Sequence, residues 1–427
     1  MIGKSTLSKK SIIDFSYMFI SNLFKKIFGF LREMILAYFF VSSIVYANFL
    51  LLRTVTDFFS QFTFGNALQE NLLPKLTKVY ANQESVDLSE VYNFTSKFSI
   101  KLFWISQVLQ LPMIWYINPE NKLLYFFLSI ILGVLVSINF FNSVFLIIYQ
   151  AKGEFKRHSI STTLNLFVAT VVLYPLSLFF DLIGVVLSRL IGIITLTFGY
   201  IKPLFQEKGE EKVRLSISDF NLSIIFLGNL ANIIILIGRF SAGVDGSVNI
   251  TYFTYSAVLL NTLLTAVIMN INTLVLKVIT VKRELKLVFI STIISFFVGI
   301  LLLLFVNKYD LEIISFIFER GAFSSGDTAN TVFYLKSLSW SFIFMFIATS
   351  LIQPFFTLKK QILKSEGKKL SFFFIGLVIV SIILLKYFNI VQRSIPIYLM
   401  FCMSFSYFSV CFTTCKEDIH YMYVFFL

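Results

Sequence analysis

Four charged residues, Lys25, Lys26, Arg32 and Glu33, lie inside one long apolar stretch, residues 12–40. On a helix, Lys25 and Arg32 would share a stripe about 10.5 Å long, with Lys26 and Glu33 on a parallel stripe. A charge at the bilayer centre costs about 2.5–3.5 kcal/mol even on a lenient scale, so such residues generally face a cavity. Three bases and one acid therefore predict a mainly cationic strip that binds an anionic substrate within the membrane.

A second charged pair, Arg53 and Asp57, lies in the next apolar stretch. Residues four apart meet on one face of a helix and can form an ion pair. We include both among the candidate substrate-binding residues, with a self-contained salt bridge as the alternative. Three other embedded bases, Arg189, Arg239 and Lys336, lie near predicted span ends, where we expect their head groups to extend to the membrane interface.

The composition excludes an ordinary soluble protein. Of 427 residues, 57% are hydrophobic and only 14% are charged, and the mean hydropathy is +0.83. Such long apolar runs indicate a protein that crosses a membrane many times. We attribute the net charge of +13 to basic cytoplasmic loops beside anionic lipids, and we expect membrane lipids rather than nucleic acid as partners.

The apolar pattern predicts an all-α polytopic membrane protein. Every second loop is rich in lysine and arginine, which places both termini in the cytoplasm. The midpoint of the chain is polar, so we predict a six-helix lobe at residues 1–204, a cytoplasmic linker at 205–215 and a second six-helix lobe at 216–427. The predicted spans, about twelve in number, are 12–40, 45–72, 96–117, 123–150, 159–180, 182–203, 216–240, 249–276, 287–307, 329–357, 370–387 and 395–415.

The sequence carries no pattern typical of an enzyme. It has no glycine-rich phosphate loop, and its two histidines are not spaced as a zinc-binding pair, so we expect neither cofactor nor metal. The three cysteines are interpreted as apolar packing residues. The polar loop at residues 319–328 is interpreted as a turn before a helix, with Asp327 or Thr328 as the cap.

Several short motifs follow one another along the chain. They are Gly29-Phe30-Leu31-Arg32-Glu33, Phe64-Gly65-Asn66-Ala67, Asn71-Leu72-Leu73-Pro74, Gln150-Ala151-Lys152-Gly153-Glu154-Phe155 and Arg320-Gly321-Ala322-Phe323 with Asp327-Thr328. In this order they resemble the MurJ (MviN) family of lipid II flippases, within the multidrug/oligosaccharidyl-lipid/polysaccharide exporter superfamily. The resemblance implies two six-helix lobes around a central cavity that opens alternately to each side and carries a polyprenyl-diphosphate-linked oligosaccharide outward.

The resemblance also assigns individual residues. Arg32 matches an essential arginine of the family, Lys26 stands where another arginine is usual, and Glu33 occupies an acidic position. Three positions depart from the family pattern. An acidic position is taken by Ala47, and two arginine positions are taken by Ser60 and Ser256.

These observations favour a flippase in the bacterial cytoplasmic membrane that moves lipid II or a lipid-linked repeat unit of a surface polysaccharide. A drug or cation antiporter of the same superfamily, a membrane enzyme such as a polysaccharide polymerase, and a scaffold in an envelope complex remain alternatives. Without a nucleotide site, transport would depend on the membrane potential or an ion gradient. Cell-envelope synthesis proteins are candidate partners.

Overall fold

The computed structural model confirms the all-α class and the polytopic membrane architecture. It describes residues 9–41, 43–64, 72–73, 76–80, 86–117, 121–206, 211–212, 226–243, 248–269, 271–272, 275, 286–353, 360–387 and 394–426. The long helices are α1 (Lys9–Phe40), α2 (Ile44–Phe64), α3 (Leu88–Ile117), α4 (Lys122–Ala151), α5 (Phe155–Leu196), α6 (Leu230–Gly243), α7 (Asn249–Leu263), α8 (Lys286–Phe318), α9 (Ser325–Leu351), α10 (Lys360–Tyr387) and α11 (Ile395–Phe426).

Shorter elements complete the described chain. Two π-helical turns, Thr197–Ile201 and Leu264–Ile268, follow α5 and α7, and a 3-10 turn, Lys202–Gln206, comes after the first of them. β1 (Val86–Asp87) and β2 (Glu211–Lys212) form a parallel pair of two residues each. Most of the predicted linker, residues 205–215, lies outside the described residues.

Five helical segments of the described chain are long and apolar enough to cross a membrane: Lys122–Ala151, Phe155–Leu204, Lys286–Phe318, Ser325–Leu351 and Ile395–Phe412. Many large apolar side chains on these helices are exposed, as lipid-facing side chains would be; Phe179 and Phe316 are examples. The chain is therefore a multi-pass membrane protein. The cytoplasmic location of both termini stays a prediction.

The run α5 contains the boundary predicted between the fifth and sixth spans. Asp181, with φ 48° and ψ −129°, interrupts the helix. A Cβ added at Gly184 would lie 2.1 Å from the Leu176 carbonyl oxygen, and one at Gly192 would lie 2.6 Å from that of Asn165. In a straight helix these pairs would be far apart, so the chain reverses at Asp181 and its two arms pack backbone against backbone.

The described contacts divide the chain into two compact units. The first comprises Met1–Ile35 and Phe62–Phe220, and the second comprises Leu36–Gln61 and Asn221–Leu427. By packing, the end of α1 and most of α2 thus group with the C-terminal half, whereas the sequence assigns them to the first lobe. The predicted lobe boundary at residues 205–215 stays a prediction.

In the first unit, α3 and α4 pack through a polar seam. Gln107 Nε2 donates to the Ser129 carbonyl oxygen at 2.8 Å, and Ser137 Oγ donates to the Ser99 carbonyl oxygen at 2.8 Å. Small and polar residues of this kind bring helices together in lipid, where apolar burial gives no driving force.

In the second unit, α8 packs along α9, and α9 along α11. Ser350 Oγ donates to Asn272 Oδ1 at 2.9 Å and shares a hydrogen bond of 2.7 Å with Ser295 Oγ. Of the cysteines interpreted as packing residues, Cys411 is buried and Cys402 half-buried. The side chain of Cys415 lies outside the described part.

The close approach at Gly184 gives a stability prediction. We expect Gly184→Ala to lower the thermal unfolding midpoint in detergent by several degrees, because overpacking against backbone costs about 1–3 kcal/mol. Gly376→Ala is the control, since a Cβ at Gly376 meets no described atom within 4 Å. Equal midpoints for the two variants would contradict the hairpin packing at Asp181.

Candidate functional site: two groups of buried charges

The predicted site residues fall into two separate groups. Lys25, Lys26, Arg32 and Glu33 belong to the first compact unit, whereas Arg53 and Asp57 belong to the second. We call the first group the α1 strip and the second, with its additional partner Arg239, the α2–α6 cluster.

Helix α1 holds the strip against α5. Ser21 Oγ donates to the Ser159 carbonyl oxygen at 3.1 Å, and Phe28 packs its ring on that of Phe167 with centroids 5.2 Å apart. Ser21 and Phe28 are seven residues apart, and Lys25 and Arg32 share their helical face. Lys25 and Arg32 therefore lie on the side of α1 that packs on α5.

Burial increases along the strip. Lys25 and Lys26 are half-buried, whereas Arg32 and Glu33 are each only 6% exposed. At the start of α5, His158 shares a hydrogen bond of 3.1 Å with Gln150 Nε2. The sequence left open which way Lys25 faces, and its helical spacing from Ser21 and Phe28 puts it on the side of α1 that packs on α5.

Gly29 leaves an open space between the two charged stripes. It lies four residues after Lys25, three after Lys26, three before Arg32 and four before Glu33. These spacings put it next to all four on the helix surface. A Cβ added at Gly29 would meet no atom of the described residues within 4 Å. Within the described part of the chain, the strip therefore borders unfilled space, as a binding site requires.

The α2–α6 cluster confirms the predicted pair and adds a third charge. Arg53 Nε lies 3.5 Å from Asp57 Oδ2. Arg239 Nη2 donates to the same oxygen at 2.7 Å, and Arg239 Nε donates to Thr54 Oγ1 at 2.9 Å. Arg239 is 6% exposed, so the prediction that it extends to the interface was wrong. The sequence signal was an arginine within a short apolar helix. The structure adds that this arginine shares one carboxylate with Arg53.

Lys336 also has a partner that the sequence did not reveal. Its ammonium forms an ion pair with Asp310 of α8, and Asp310 is buried. The side chain of Lys336 remains 45% exposed. Its ammonium group is thus held by a residue of α8. The sequence had predicted only that this group extends to the membrane interface. Arg189 is half-buried on α5, and its predicted interfacial position stays a prediction.

The loop before α9 is a turn and a cap, but with a different capping residue. Ser324 is the N-cap; its side chain accepts from the Asp327 N–H, and the Asp327 side chain accepts from the Ser324 N–H. The prediction of Asp327 or Thr328 as the cap was wrong, because the N-cap lies one helical turn earlier. Tyr252 Oη also donates to Asp327 Oδ1 at 2.7 Å, joining α7 to α9.

At Gly321, φ is +61°, and the next residue, Ala322, donates its N–H to the Tyr38 carbonyl oxygen at 2.8 Å.

The positions that depart from the family pattern serve packing where they are described. Ser256 is fully buried, and its Oγ donates to the Thr331 carbonyl oxygen at 2.7 Å. Ala47 is buried as well. The side chain of Ser60 lies outside the described residues.

Comparison with solved structures identifies the fold. A structure described as the lipid II flippase MurJ in an inward closed conformation matches with a TM-score of 0.74 at 17% identity, covering 95% of this chain and 88% of that one. The chain has the fold of MurJ-like transporters. Neither a protein-family model nor a curated protein matches the sequence.

Two other solved transporter structures match less closely. An inward-facing multidrug resistance MATE transporter of the MOP superfamily gives a TM-score of 0.65 at 11% identity, covering 94% of this chain and 98% of that one. A MOP transporter from Pyrococcus furiosus, described as having a binding pocket of reverse polarity that suggests a different function, gives 0.54 at 14% identity, covering 97% and 94%. At these identities the likeness establishes the fold alone. A substrate has to be inferred from the charged residues of this chain.

The Lys336–Asp310 pair gives a second prediction. In a double-mutant cycle with Lys336→Met and Asp310→Asn, we expect a coupling of about 0.5–1 kcal/mol, because Lys336→Met leaves the buried Asp310 carboxylate without its cation, while solvent screens the partly exposed ammonium. The readout is the unfolding free energy in detergent. Lys308→Met with Asp310→Asn is the control cycle, since Lys308 lies over the Tyr309 ring. Additive effects in the first cycle would contradict the ion pair.

Proposed function

We propose that this protein is a flippase that moves a polyprenyl-diphosphate-linked glycan precursor from the inner to the outer leaflet of the bacterial cytoplasmic membrane. The single observation that carries the proposal is the α1 strip. It combines buried Arg32 with Lys25 and Lys26 beside the open space at Gly29, on a chain with the MurJ-like fold.

The chemistry of the strip fits a diphosphate. A diphosphate carries about two negative charges, and moving it bare across an apolar core would cost several kcal/mol or more. Guanidinium and ammonium groups hold phosphate oxygens through charge-assisted hydrogen bonds. Glu33 limits the net positive charge and thereby favours release. The polyprenyl tail can stay in lipid throughout.

A lipid-linked repeat unit of a surface polysaccharide is the second candidate substrate. The specific observation is Ser256, which is fully buried and used for packing α7 on α9. It cannot supply the cation that the lipid II flippases carry there. A head group with a different glycan but the same diphosphate would satisfy the α1 strip equally well.

A drug or cation antiporter has less support, although MATE transporters share the fold. Binding a cation needs an embedded acid that is accessible. Among the described acids of the second unit, Asp57 is engaged by two arginines and Asp310 by Lys336. The charges of the α1 strip are mostly basic, which repels a cationic substrate.

Moving the substrate across the membrane requires an energy source other than a reaction catalysed by the chain itself. A negative-inside potential favours outward movement of an anion by about 2.3 kcal/mol per charge per 100 mV. We propose the membrane potential or an ion gradient as the driving force, both termini in the cytoplasm, and envelope synthesis enzymes as partners that supply the precursor.

Complementation tests the proposal. Expressed in bacteria depleted of their lipid II flippase, the chain should restore growth if lipid II is its substrate. The double variant Lys26→Ala with Arg32→Ala should abolish rescue at normal membrane levels, because the diphosphate would lose two cations. Arg157→Ala is the control; this side chain is 66% exposed and pairs locally with Glu154.

The outcomes separate the two substrates. If the protein is present in the membrane and does not rescue growth, lipid II is excluded as substrate. The complementation assay is then repeated in cells that lack a flippase for a surface-polysaccharide repeat unit. Failure in both strains, or full activity of the double variant, would reject the flippase proposal.

The open space at Gly29 gives an independent prediction. Gly29→Leu adds no charge but fills the space between the stripes, so transport in the complemented strain should fall at least about tenfold, the loss that about 1.4 kcal/mol of obstruction would cause. Gly376→Leu is the matched control, because Gly376 also has open space in front of it and lies on α10. Equal activity of the two variants would show that the substrate does not occupy this space.

A further inference from the structure

We propose that Thr163 and Thr170 of α5 are positioning residues for the α1 strip, and that they make the strip selective for a diphosphate over a monophosphate. Their hydroxyls hold α1 at the rotation at which Lys25 and Arg32 bind the two phosphoryl groups of one head group. This inference rests on the proposed function, since it concerns the same site. It adds two uncharged residues of a second helix to that site.

The first contact joins Ser21 of α1 to two residues of α5. Ser21 Oγ lies 2.7 Å from Thr163 Oγ1 and donates to the Ser159 carbonyl oxygen at 3.1 Å. A hydroxyl has one proton, so Thr163 is the donor to Ser21 Oγ while Ser21 donates to Ser159. In an α-helix, the Ser21 carbonyl oxygen accepts the N–H of Lys25. The first contact therefore fixes the turn that carries Lys25.

The second contact lies seven residues further along both helices. Thr170 Oγ1 donates to the Leu166 carbonyl oxygen at 2.8 Å and to the Phe28 carbonyl oxygen at 3.3 Å, so it bonds to its own helix and to α1. Thr170 is buried. In an α-helix, the Phe28 carbonyl oxygen also accepts the N–H of Arg32. The second contact therefore fixes the turn that carries Arg32.

The two contacts keep one register between the helices. Ser21 and Thr163 are 142 residues apart in sequence, and so are Phe28 and Thr170. Over this stretch α1 and α5 thus run parallel without sliding against one another. Between the two hydroxyls, the Phe28 ring packs on the Phe167 ring with centroids 5.2 Å apart. One register held at three points leaves α1 little freedom to rotate about its axis.

Gly29 makes this support important. Glycine is a poor helix former, because its backbone is freer than that of other residues. A Cβ added at Gly29 would meet no atom of the described residues within 4 Å. Within the described part of the chain, packing therefore does not steady this turn from that side. The carbonyl that Thr170 holds belongs to the preceding residue, Phe28, so the hydroxyl supports α1 directly beside the space proposed for the substrate.

The rotation of α1 decides which anion fits the strip. Lys25 and Arg32 lie about 10.5 Å apart along the helix axis, and a binding geometry has to be kept within about 10–20° to be productive. Each phosphoryl group of a diphosphate can contact one of the two cations. A monophosphate has a single group, so its binding depends less on how the two cations are placed relative to one another. Loss of the hydroxyls should therefore weaken diphosphate binding more than monophosphate binding.

The experiment measures the affinity of the purified full-length protein for inorganic pyrophosphate and for inorganic phosphate, by calorimetry in detergent. Arg32→Ala should abolish pyrophosphate binding, which assigns the signal to the α1 strip. In the double variant Thr163→Val with Thr170→Val, we expect the pyrophosphate affinity to fall about tenfold and the phosphate affinity to change less than about twofold. Valine keeps the shape of threonine but cannot donate the hydrogen bond between the helices.

Two controls separate the hydrogen bonds from packing. Thr162→Val is the matched control, because the Thr162 hydroxyl donates within its own helix, to the His158 and Ser159 carbonyl oxygens. It should leave both affinities unchanged. Thr163→Ser with Thr170→Ser keeps both hydroxyls and should retain the preference for pyrophosphate.

Three results would overturn the proposal: an unchanged pyrophosphate affinity in the folded valine variant, an equal loss for both anions, or a serine variant that behaves like the valine variant. If the valine variant fails to fold, Ser21→Ala removes the first contact from the side of α1, and it should lower the pyrophosphate affinity several-fold. If Arg32→Ala leaves pyrophosphate binding intact, the proposed function fails and this inference fails with it. Loss of binding in Arg32→Ala alone overturns only this inference.

Competition in the micelles identifies the source of the diphosphate. Displacement of pyrophosphate by a polyprenyl diphosphate, but not by a polyprenyl monophosphate, would support both the lipid substrate and the selectivity. Equal displacement by the two lipids would overturn the selectivity. Displacement by neither lipid would assign the strip to a free diphosphate and would reject the lipid substrate proposed above.

Discussion

The cost of placing charge in an apolar membrane protein governs this structure. Every buried charge must contact an opposite charge, a polar group or water, and each arrangement has a different consequence for function. In the α2–α6 cluster, two arginines contact one carboxylate, and one of them also donates to a threonine. Asp310 and Lys336 satisfy one another across α8 and α9. The α1 strip differs from both, because it borders space that the described residues leave unfilled at Gly29. That contrast is the physical basis for proposing substrate binding at α1.

Helix packing in lipid explains how the charges come to these positions. Apolar burial gives little driving force between helices in a membrane, so contact depends on small residues and side-chain hydrogen bonds. Ser21 and Thr170 attach α1 to α5, since Ser21 donates to Ser159 and Thr170 Oγ1 donates to the Phe28 carbonyl oxygen at 3.3 Å. These bonds fix the rotation of α1 about its axis. That rotation decides which stripe of the helix carries Lys25 and Arg32 toward α5.

The two groups of charges differ in how the described residues surround them. The α1 strip combines three bases and one acid, and at Gly29 it borders space that the described residues leave unfilled. In the α2–α6 cluster, the Asp57 carboxylate contacts two arginines, Arg53 and Arg239. The function proposed above therefore depends on the α1 strip, whereas the α2–α6 cluster joins two helices of the second unit.

The sequence by itself determined the membrane architecture, the break between the fifth and sixth spans, the α1 strip and the Arg53–Asp57 pair. These features follow from local properties: hydropathy and helical spacing act within a single segment, and residues seven or four apart share a face in any helix. Only the tertiary structure decided that Arg239 joins Asp57, that Lys336 joins Asp310, and that Ser324 caps α9. Arg239 and Asp57 are 182 residues apart in sequence, and their meeting depends on how α6 packs beside α2. Periodicity within one helix carries no information about which other helix will lie beside it, because that is set by side-chain packing across the whole unit.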